Sequence, residues 1–352
     1  MRAEMRQNLT GGTTESLFCS GFRLSRTLAF VLVLMTFSAF EPHSAHAVTE
    51  ADAEPLVVPN AFVHQFQPEK LDIALRLYVS VPDVPPPDEG FPVLYAFDAD
   101  ISFIALADMA RNVTMSARRV KRAPPLVVGI GYAAPEDHLK RRIYDLTPPT
   151  DIGKLPKRPN GLPWPKTGGG DAFLDVLIDE IKPFIAARYS VDDRAETLAG
   201  HSLGGLLVLH ALLTRADAFD RYVASSPSLW FGDRETSDKL IAFQEQTARS
   251  VSRKIPLRLT VGRLEETPTG WRAQKGQALE QRKVWLKNNR MIGNTKDLAE
   301  ALTKINGAIQ VSFDIYSGLG HAAANYPAFY QALEFAVGPD AFRAVGEEGK
   351  SR

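Results

Sequence analysis

A serine between two glycines is the residue whose setting could make it a nucleophile. Ser202 lies in residues 200–204 (GHSLG), which follow a short apolar segment and precede the apolar stretch GLLVLHALL. A strand, a tight turn and a helix in that order form a nucleophile elbow, which holds a serine hydroxyl above a sheet, near the positive end of the helix. Gly200 and Gly204 would let the two backbones pass close together. This context predicts that Ser202 is a nucleophile, and a plain glycine-rich turn is the weaker alternative.

A serine hydroxyl is a poor nucleophile until a base takes its proton. In proteins built around such an elbow, the acid and then the histidine follow the serine along the chain. His321 meets this order, because it comes after the last apolar segment, in a glycine-containing stretch (SGLGH) that suits a loop reaching back over the sheet. His201 should point away from the pocket of Ser202, and His210 lies mid-helix, as a packed or surface histidine would. The alternative for His321 is a loop histidine without a role.

The acid that orients the base should follow the apolar segment 257–261. Two adjacent glutamates, Glu265 and Glu266, stand there. A carboxylate in this place would hold His321 in the right tautomer and stabilise its imidazolium form. We favour Glu265, and the alternative is that both glutamates are solvated.

The charge that develops on the attacked carbonyl oxygen needs two backbone N–H donors. The residue after the nucleophile, Leu203, would supply one of them. The other should come from the loop that follows the apolar run 91–97, and within that loop we favour Asp100. Asp98 could instead cap the end of the strand.

Short apolar runs alternate with helical patterns between residue 71 and residue 316. Runs bounded by proline and glycine are typical of buried central strands, and strands alternating with helices indicate a mostly parallel sheet covered on both faces. With the elbow, this predicts an α/β-hydrolase fold. Helical spacing covers 171–189, interrupted by Pro183, and then 203–213. The predicted strands lie within residues 71–82, 91–97, 126–132, 197–199, 222–224, 257–261 and 311–316.

Residues 133–170 interrupt this alternation with many prolines and glycines and no clear periodicity. Structureless segments of this length are usually functional or disordered. The segment is basic, and Arg141 and Arg142 are among its cations. A second basic stretch covers residues 271–290. Both could contact an anionic substrate, although runs of charge are as often simply solvated.

The N-terminus reads as a signal peptide. A short apolar run, TLAFVLVLMTFSAF, follows Arg23 and Arg26 and is too short to span a bilayer comfortably. Ala45-His46-Ala47 then matches an A-x-A cleavage site. We therefore expect residues 1–47 to be removed, residues 48–352 to form a single catalytic domain, and the product to be periplasmic or secreted without stable membrane insertion. An uncleaved anchor is the alternative.

The composition sets limits on function. The chain has 352 residues, of which 45% are hydrophobic, and its formal net charge is +0. That apolar share can bury a full core, and the balanced charge gives no indication of nucleic acid as a partner. No cofactor and no metal are expected.

Several ordered motifs together resemble the "putative esterase" family. They are residues 95–98 (YAFD), 128–132 (VGIGY), 142–147 (RIYDLT), 200–206 (GHSLGGL) and 226–230 (SPSLW). The resemblance spans about residues 60–337 and implies an α/β-hydrolase fold and a serine esterase. Within this family, the sequence is most similar to the esterases of ferric trilactone siderophores of the enterobactin, salmochelin and bacillibactin type. The resemblance also implies that Asp100 donates to the oxyanion and that a Ser-His dyad could suffice without Glu265.

A ferric tris-catecholate is a bulky aromatic trianion. Arginine pairs with anionic oxygens and stacks on rings, so we expect Arg141, Arg142 and Trp230 to contact such a substrate. A general periplasmic carboxylesterase or acyltransferase, similar to S-formylglutathione hydrolases, is the alternative. A non-catalytic binding module is less favoured, because Ser202, His321 and the elbow are all present.

Overall fold

The computed structural model describes residues 57–158, 160–248, 253–268 and 275–338, together with 54 and 340. The predicted signal peptide lies outside the described residues. None of the helices within these ranges combines the length and the apolar composition that crossing a membrane requires.

An eight-stranded sheet forms the centre of the described part of the chain. Its strand order is β1-β2-β4-β3-β5-β6-β7-β8, in which β2 pairs antiparallel with β1 and β4 and all other neighbours are parallel. The predicted α/β-hydrolase fold is confirmed. The strands are β1 Ala61–Phe66, β2 Leu75–Ser80, β3 Phe91–Ala96, β4 Leu126–Tyr132, β5 Val191–His201, β6 Arg221–Ser225, β7 Ile255–Gly262 and β8 Ile309–Tyr316.

Helices cover both faces of the sheet, which explains why every residue of β3 and β4 is buried. The helices are α1 Ala99–Arg119, α2 Pro135–Asp145, α3 Gly170–Val176, α4 Lys182–Ala186, α5 Leu203–Thr214, α6 Glu235–Thr247, α7 Gln277–Asn289, α8 Met291–Lys304 and α9 His321–Val337. One apolar core joins α1 and α9, through residues such as Phe103 and Leu333. The other joins α3, α5, α6 and α8, through residues such as Leu174, Leu206 and Leu298.

Two expectations about local structure need correction. The segment 133–170 is not without regular structure, because α2 fills its first part and a 3-10 turn covers Ile152–Lys154. The helix expected over 171–189 is divided into α3, a π-helical turn at Leu177–Ile181, and α4. Pro183 stands in the first turn of α4, where its missing N–H does the least harm.

The turn between β5 and α5 has the form of the predicted elbow. Ser202 has φ 61° and ψ −117°, a left-handed conformation that non-glycine residues rarely adopt. A Cβ on Gly200 would lie 2.4 Å from the carbonyl carbon of Gly204, so the backbones approach as closely there as expected. A Cβ on Gly204 would meet Phe97 only at 3.4 Å. The close approach therefore requires glycine at position 200 rather than at position 204.

Candidate active site

Ser202 is fixed by the end of the neighbouring strand. Its backbone N–H donates to the carbonyl oxygen of Ser225, the last residue of β6, at 2.9 Å. Its carbonyl oxygen accepts from the N–H of Ser228 at 3.1 Å. The Ser202 hydroxyl lies 3.4 Å from the hydroxyl of Ser228. The strained conformation of Ser202 is thus held by backbone hydrogen bonds on both sides of its Cα atom.

His321 and Glu265 lie together as an acid–base pair. Nδ1 of His321 is 2.7 Å from Oε2 of Glu265. The other oxygen, Oε1, accepts from the Ser226 hydroxyl at 2.5 Å and from the backbone N–H of Gly262 at 2.7 Å. Since the Glu265 side chain is fully buried, these donors fix the direction in which its Oε2 points.

The two adjacent glutamates have different surroundings. Glu266 does not face His321; its Oε1 accepts from the backbone N–H of Gly293, near the start of α8, at 2.8 Å. His321 is the first residue of α9 rather than part of the preceding loop, which corrects the expectation from sequence.

The two predicted oxyanion donors both lie at helix starts. Leu203 is the first residue of α5 and Asp100 the second residue of α1, and backbone N–H groups in the first turn of a helix have no partner within it. The Asp100 carboxylate accepts from the backbone N–H of Tyr132 at 3.0 Å. It also lies 3.2 Å from Nδ1 of His138. The side chain of Asp100 therefore anchors the first turn of α1, which carries the N–H predicted to donate to the oxyanion.

Arg142 has a different position from the one expected. Its guanidinium forms a bidentate pair with Asp98, with Nε–Oδ1 and Nη2–Oδ2 distances of 2.6 and 2.8 Å. Burial opposes the charge of Arg142, but the Asp98 carboxylate outweighs it and raises the pKa of the guanidinium. Asp98 has φ 60°, so this ion pair holds the left-handed turn that leads to Asp100.

Arg141 is likewise paired within the protein. Its guanidinium contacts the buried carboxylate of Asp145 at 3.3 Å and the exposed carboxylate of Asp72 at 3.2 Å. Neither Arg141 nor Arg142 lines the cavity described next. Both arginines are thus paired within the protein, although Nη2 of Arg142 also lies 3.4 Å from the carbonyl oxygen of His201, the residue before Ser202.

A cavity of about 550 Å³ opens beside Ser202. Trp230, which was expected to contact substrate, forms part of its wall, and its ring lies 5.3 Å from that of Trp285. Trp164, from the segment 133–170, packs on the Trp230 ring at 5.9 Å. The lining residues include Ser202, Ser228, Glu265 and His321 together with Leu279, Arg282, Trp285, Leu286 and Met291 of α7 and α8.

The wall formed by α7 and α8 was not identified from sequence. Except for Met291, its residues lie in the basic stretch 271–290, whose charges indicated a solvated surface as readily as a contact with substrate. Within the described ranges, no group of three or more His, Cys, Asp or Glu side chains could hold a metal ion.

Comparison with known proteins agrees with this geometry. A model of the family described as "Putative esterase" matches residues 69–299. The chain belongs to this family. The esterase is 32% identical over 284 residues to the ferri-bacillibactin esterase BesA of Bacillus subtilis, covering 80% of this chain and 91% of that protein. It is 30% identical over 246 residues to the siderophore enterobactin esterase of Emericella nidulans, covering 69% and 80%.

The fold of the esterase is also found among solved structures. The siderophore hydrolase EstA from Aspergillus nidulans superposes with a TM-score of 0.70 at 27% identity, covering 81% of this chain and 96% of that one. The resemblance inferred from the motifs is confirmed at the level of the family and of esterase activity.

The Asp98–Arg142 pair leads to a stability prediction. Arg142→Met leaves the Asp98 carboxylate, whose side chain is 7% exposed, without its partner. Removal of one partner of a buried ion pair costs about 3–5 kcal/mol. We expect denaturant unfolding to show a loss of this size, and the double variant Asp98→Asn/Arg142→Met to recover part of it.

The matched control for this prediction is Arg194→Met, which removes an exposed arginine that pairs with Asp192. Exposed pairs contribute about 0–1 kcal/mol. Equal losses in the Arg142 and Arg194 variants would show that the Asp98–Arg142 pair does not fix the turn.

Proposed function

We propose that the esterase hydrolyses the ester bonds of an anionic ferric catecholate siderophore, with Ser202 as nucleophile and His321 as base. The observation that carries this proposal is that Ser202 and the Glu265-bound His321 line the same cavity as Trp230, Trp285 and Arg282. The cavity thus joins an acyl-transfer site to a surface suited to aromatic, negatively charged groups.

The reaction follows from the positions of the groups. Ser202 Oγ attacks the ester carbonyl carbon while His321 Nε2 takes its proton, and the carbonyl oxygen becomes an oxyanion. Backbone N–H groups of Leu203 and Asp100 donate to that oxygen. Collapse of the intermediate breaks the ester C–O bond, His321 protonates the departing alkoxide, and water then releases the acid by the reverse sequence.

Glu265 acts through the tautomer of His321. A carboxylate against Nδ1 keeps a proton on that atom, which leaves Nε2 free to accept the proton of Ser202. Because Ser226 and Gly262 hold the second oxygen of Glu265, the carboxylate does not need to reorganise when the imidazolium forms. These contacts favour a complete triad over a Ser-His dyad.

The substrate class is supported by the cavity wall and by the relatives. Two of those relatives are named for bacillibactin and enterobactin. Tryptophan faces attract aromatic rings, and arginine pairs with anionic oxygens. A general carboxylesterase would use the same Ser202 chemistry without a need for Arg282, so substrate preference separates the two functions.

A hydrolysis panel tests this proposal. The wild-type esterase should cleave ferric and iron-free trilactone siderophores faster than neutral aryl esters or S-formylglutathione, as followed by chromatography of the products. Ser202→Ala should abolish all of these activities, and a covalent serine reagent should label Ser202 alone. Turnover by Ser202→Ala would reject the mechanism, and a preference for simple esters would favour the general carboxylesterase.

The adjacent glutamates provide a matched pair of variants. Glu265→Gln should lower kcat on every ester, by up to about 10⁴-fold as for a full triad whose acid becomes an amide. Glu266→Gln should change kcat little, since Glu266 contacts α8 and not His321. Steady-state kinetics on a neutral aryl ester checks this. A small effect of Glu265→Gln would indicate a Ser-His dyad.

Arg282 separates substrate binding from chemistry. Arg282→Gln should raise KM for the ferric siderophore and leave a neutral aryl ester nearly unchanged, because only the anion loses an ionic partner. The control is Lys283→Gln, which removes the same charge from α7 at an exposed residue that pairs with Glu280. If neither variant loses the preference for the ferric siderophore over the neutral aryl ester, the cavity wall has no role in anion recognition.

We also infer that residues 1–47 are a signal peptide and that the esterase works in the periplasm or outside the cell. The A-x-A pattern after a short apolar run supports this. N-terminal sequencing of protein from the periplasmic fraction should begin near Val48. Recovery of the uncleaved chain from the cytoplasm would contradict the inference.

A further inference from the structure

The imidazole ring of His201 packs against that of His321. The ring centroids are 4.6 Å apart and the planes are inclined by 42°, at the short end of the usual range for aromatic pairs. His201 is the last residue of β5 and is buried, whereas the His321 side chain is 41% exposed. The half-exposed His321 ring therefore packs against a buried partner on one side.

The strand ends hold His201 in place. Its Nδ1 lies 3.0 Å from the hydroxyl of Ser225, which stands opposite it in the register of β5 and β6. Both residues are almost completely enclosed. The orientation of the His201 ring is thus set by the sheet and not by the substrate cavity, which it does not line.

The charge state of His201 is also restricted. Burial lowers the pKa of His201 well below its usual range, and the positive charges of Arg142 and of the protonated His321 imidazole lower it further. Arg142 lies 3.4 Å from the His201 carbonyl oxygen and is itself paired with Asp98. A proton taken from Ser202 therefore stays on His321, which has Glu265 as its partner, and does not pass to His201.

A contact between the rings connects the two histidine side chains. Nε2 of His201 is buried and has no hydrogen-bond partner in the described part of the chain. The bond from His321 Nδ1 to Glu265 fixes one atom of the His321 ring but leaves the ring able to rock about that contact. The His201 ring, packed against the His321 ring at an inclination of 42°, restricts this freedom.

The geometry points to His201 as a positioning residue, whose ring fixes the plane of the His321 imidazole for the transfer of the Ser202 proton to Nε2. This inference rests on the proposed function, in which His321 takes the proton of Ser202. Because His201 does not line the substrate cavity, its loss should lower kcat and leave KM nearly unchanged.

Two double variants that differ only in the ring test the inference. His201→Phe/Ser225→Ala keeps a flat ring and removes both polar partners, so that neither is left unpaired. His201→Ala/Ser225→Ala removes the ring as well. On a neutral aryl ester, the phenylalanine variant should keep a kcat close to that of the wild type. The alanine variant should lose about 10- to 100-fold in kcat at nearly constant KM, as expected for a misplaced catalytic group.

Equal kcat values in the two double variants, or an effect confined to KM, would overturn the inference. Ser202→Ala in the same assay separates the role of His201 from the proposed function. Activity of Ser202→Ala would reject the proposed function. An inactive Ser202→Ala together with equal kcat values in the two double variants would reject only the role of His201. A measurement on the wild-type protein covers the case in which a variant fails to fold. Nuclear Overhauser contacts between the ring protons of His201 and His321 should be present, and their absence would also overturn the inference.

Discussion

The contact between the β5 and α5 backbones at Gly200 is the constraint on which the rest of the site depends. The helix can begin directly after the nucleophile because position 200 has no side chain to meet the carbonyl group of Gly204. The turn then forces Ser202 to a positive φ, a strain that persists only where the surroundings hold it. Backbone bonds to Ser225 and Ser228 provide that hold. Ser202, the start of α5 and the end of β6 therefore form one rigid unit.

Parallel strands bring the remaining groups to the same edge of the sheet. Glu265 follows β7 and His321 follows β8, so both lie at the carboxyl ends of strands near the elbow. The segment after β6 contributes twice, because Ser226 donates to Glu265 and Ser228 lies beside Ser202. The segments that follow neighbouring strands thus supply the nucleophile, the base and the acid, together with Ser226 and Ser228, which contact the acid and the nucleophile.

Sequence reasoning succeeded where local pattern decides structure. The apolar runs of β3 and β4 and the glycine-flanked turn before α5 were predicted almost to the residue, since their flanking prolines and glycines mark their ends. It failed for α2 and for the start of α9. The first lies among prolines and glycines, and the second follows a glycine-containing loop and carries Pro327 inside it.

Long-range pairing was beyond the reach of sequence reasoning. Arg142 looked like a substrate contact because its partner, Asp98, lies far away along the chain. His201 was expected only to point away from the pocket, and nothing in the sequence shows that its ring meets His321. Glu265 faces His321 whereas Glu266 faces the start of α8, and a pair of identical neighbours carries no sign of which contact each one makes.

The hydrogen bond between Glu266 and Gly293 couples the loop of the acid to the cavity wall, two parts that a redesign of substrate range would treat as separate. Glu266 belongs to the loop that carries the acid, while Gly293 belongs to the helix that follows the α7 wall of the cavity. Exchange of α7 and α8 for a different wall, to admit a different acyl group, would therefore also shift the peptide next to Glu265. An altered substrate range and an altered turnover rate would arise together from such a graft. A library of variants in this wall should therefore leave Glu266 and the backbone of Gly293 unchanged.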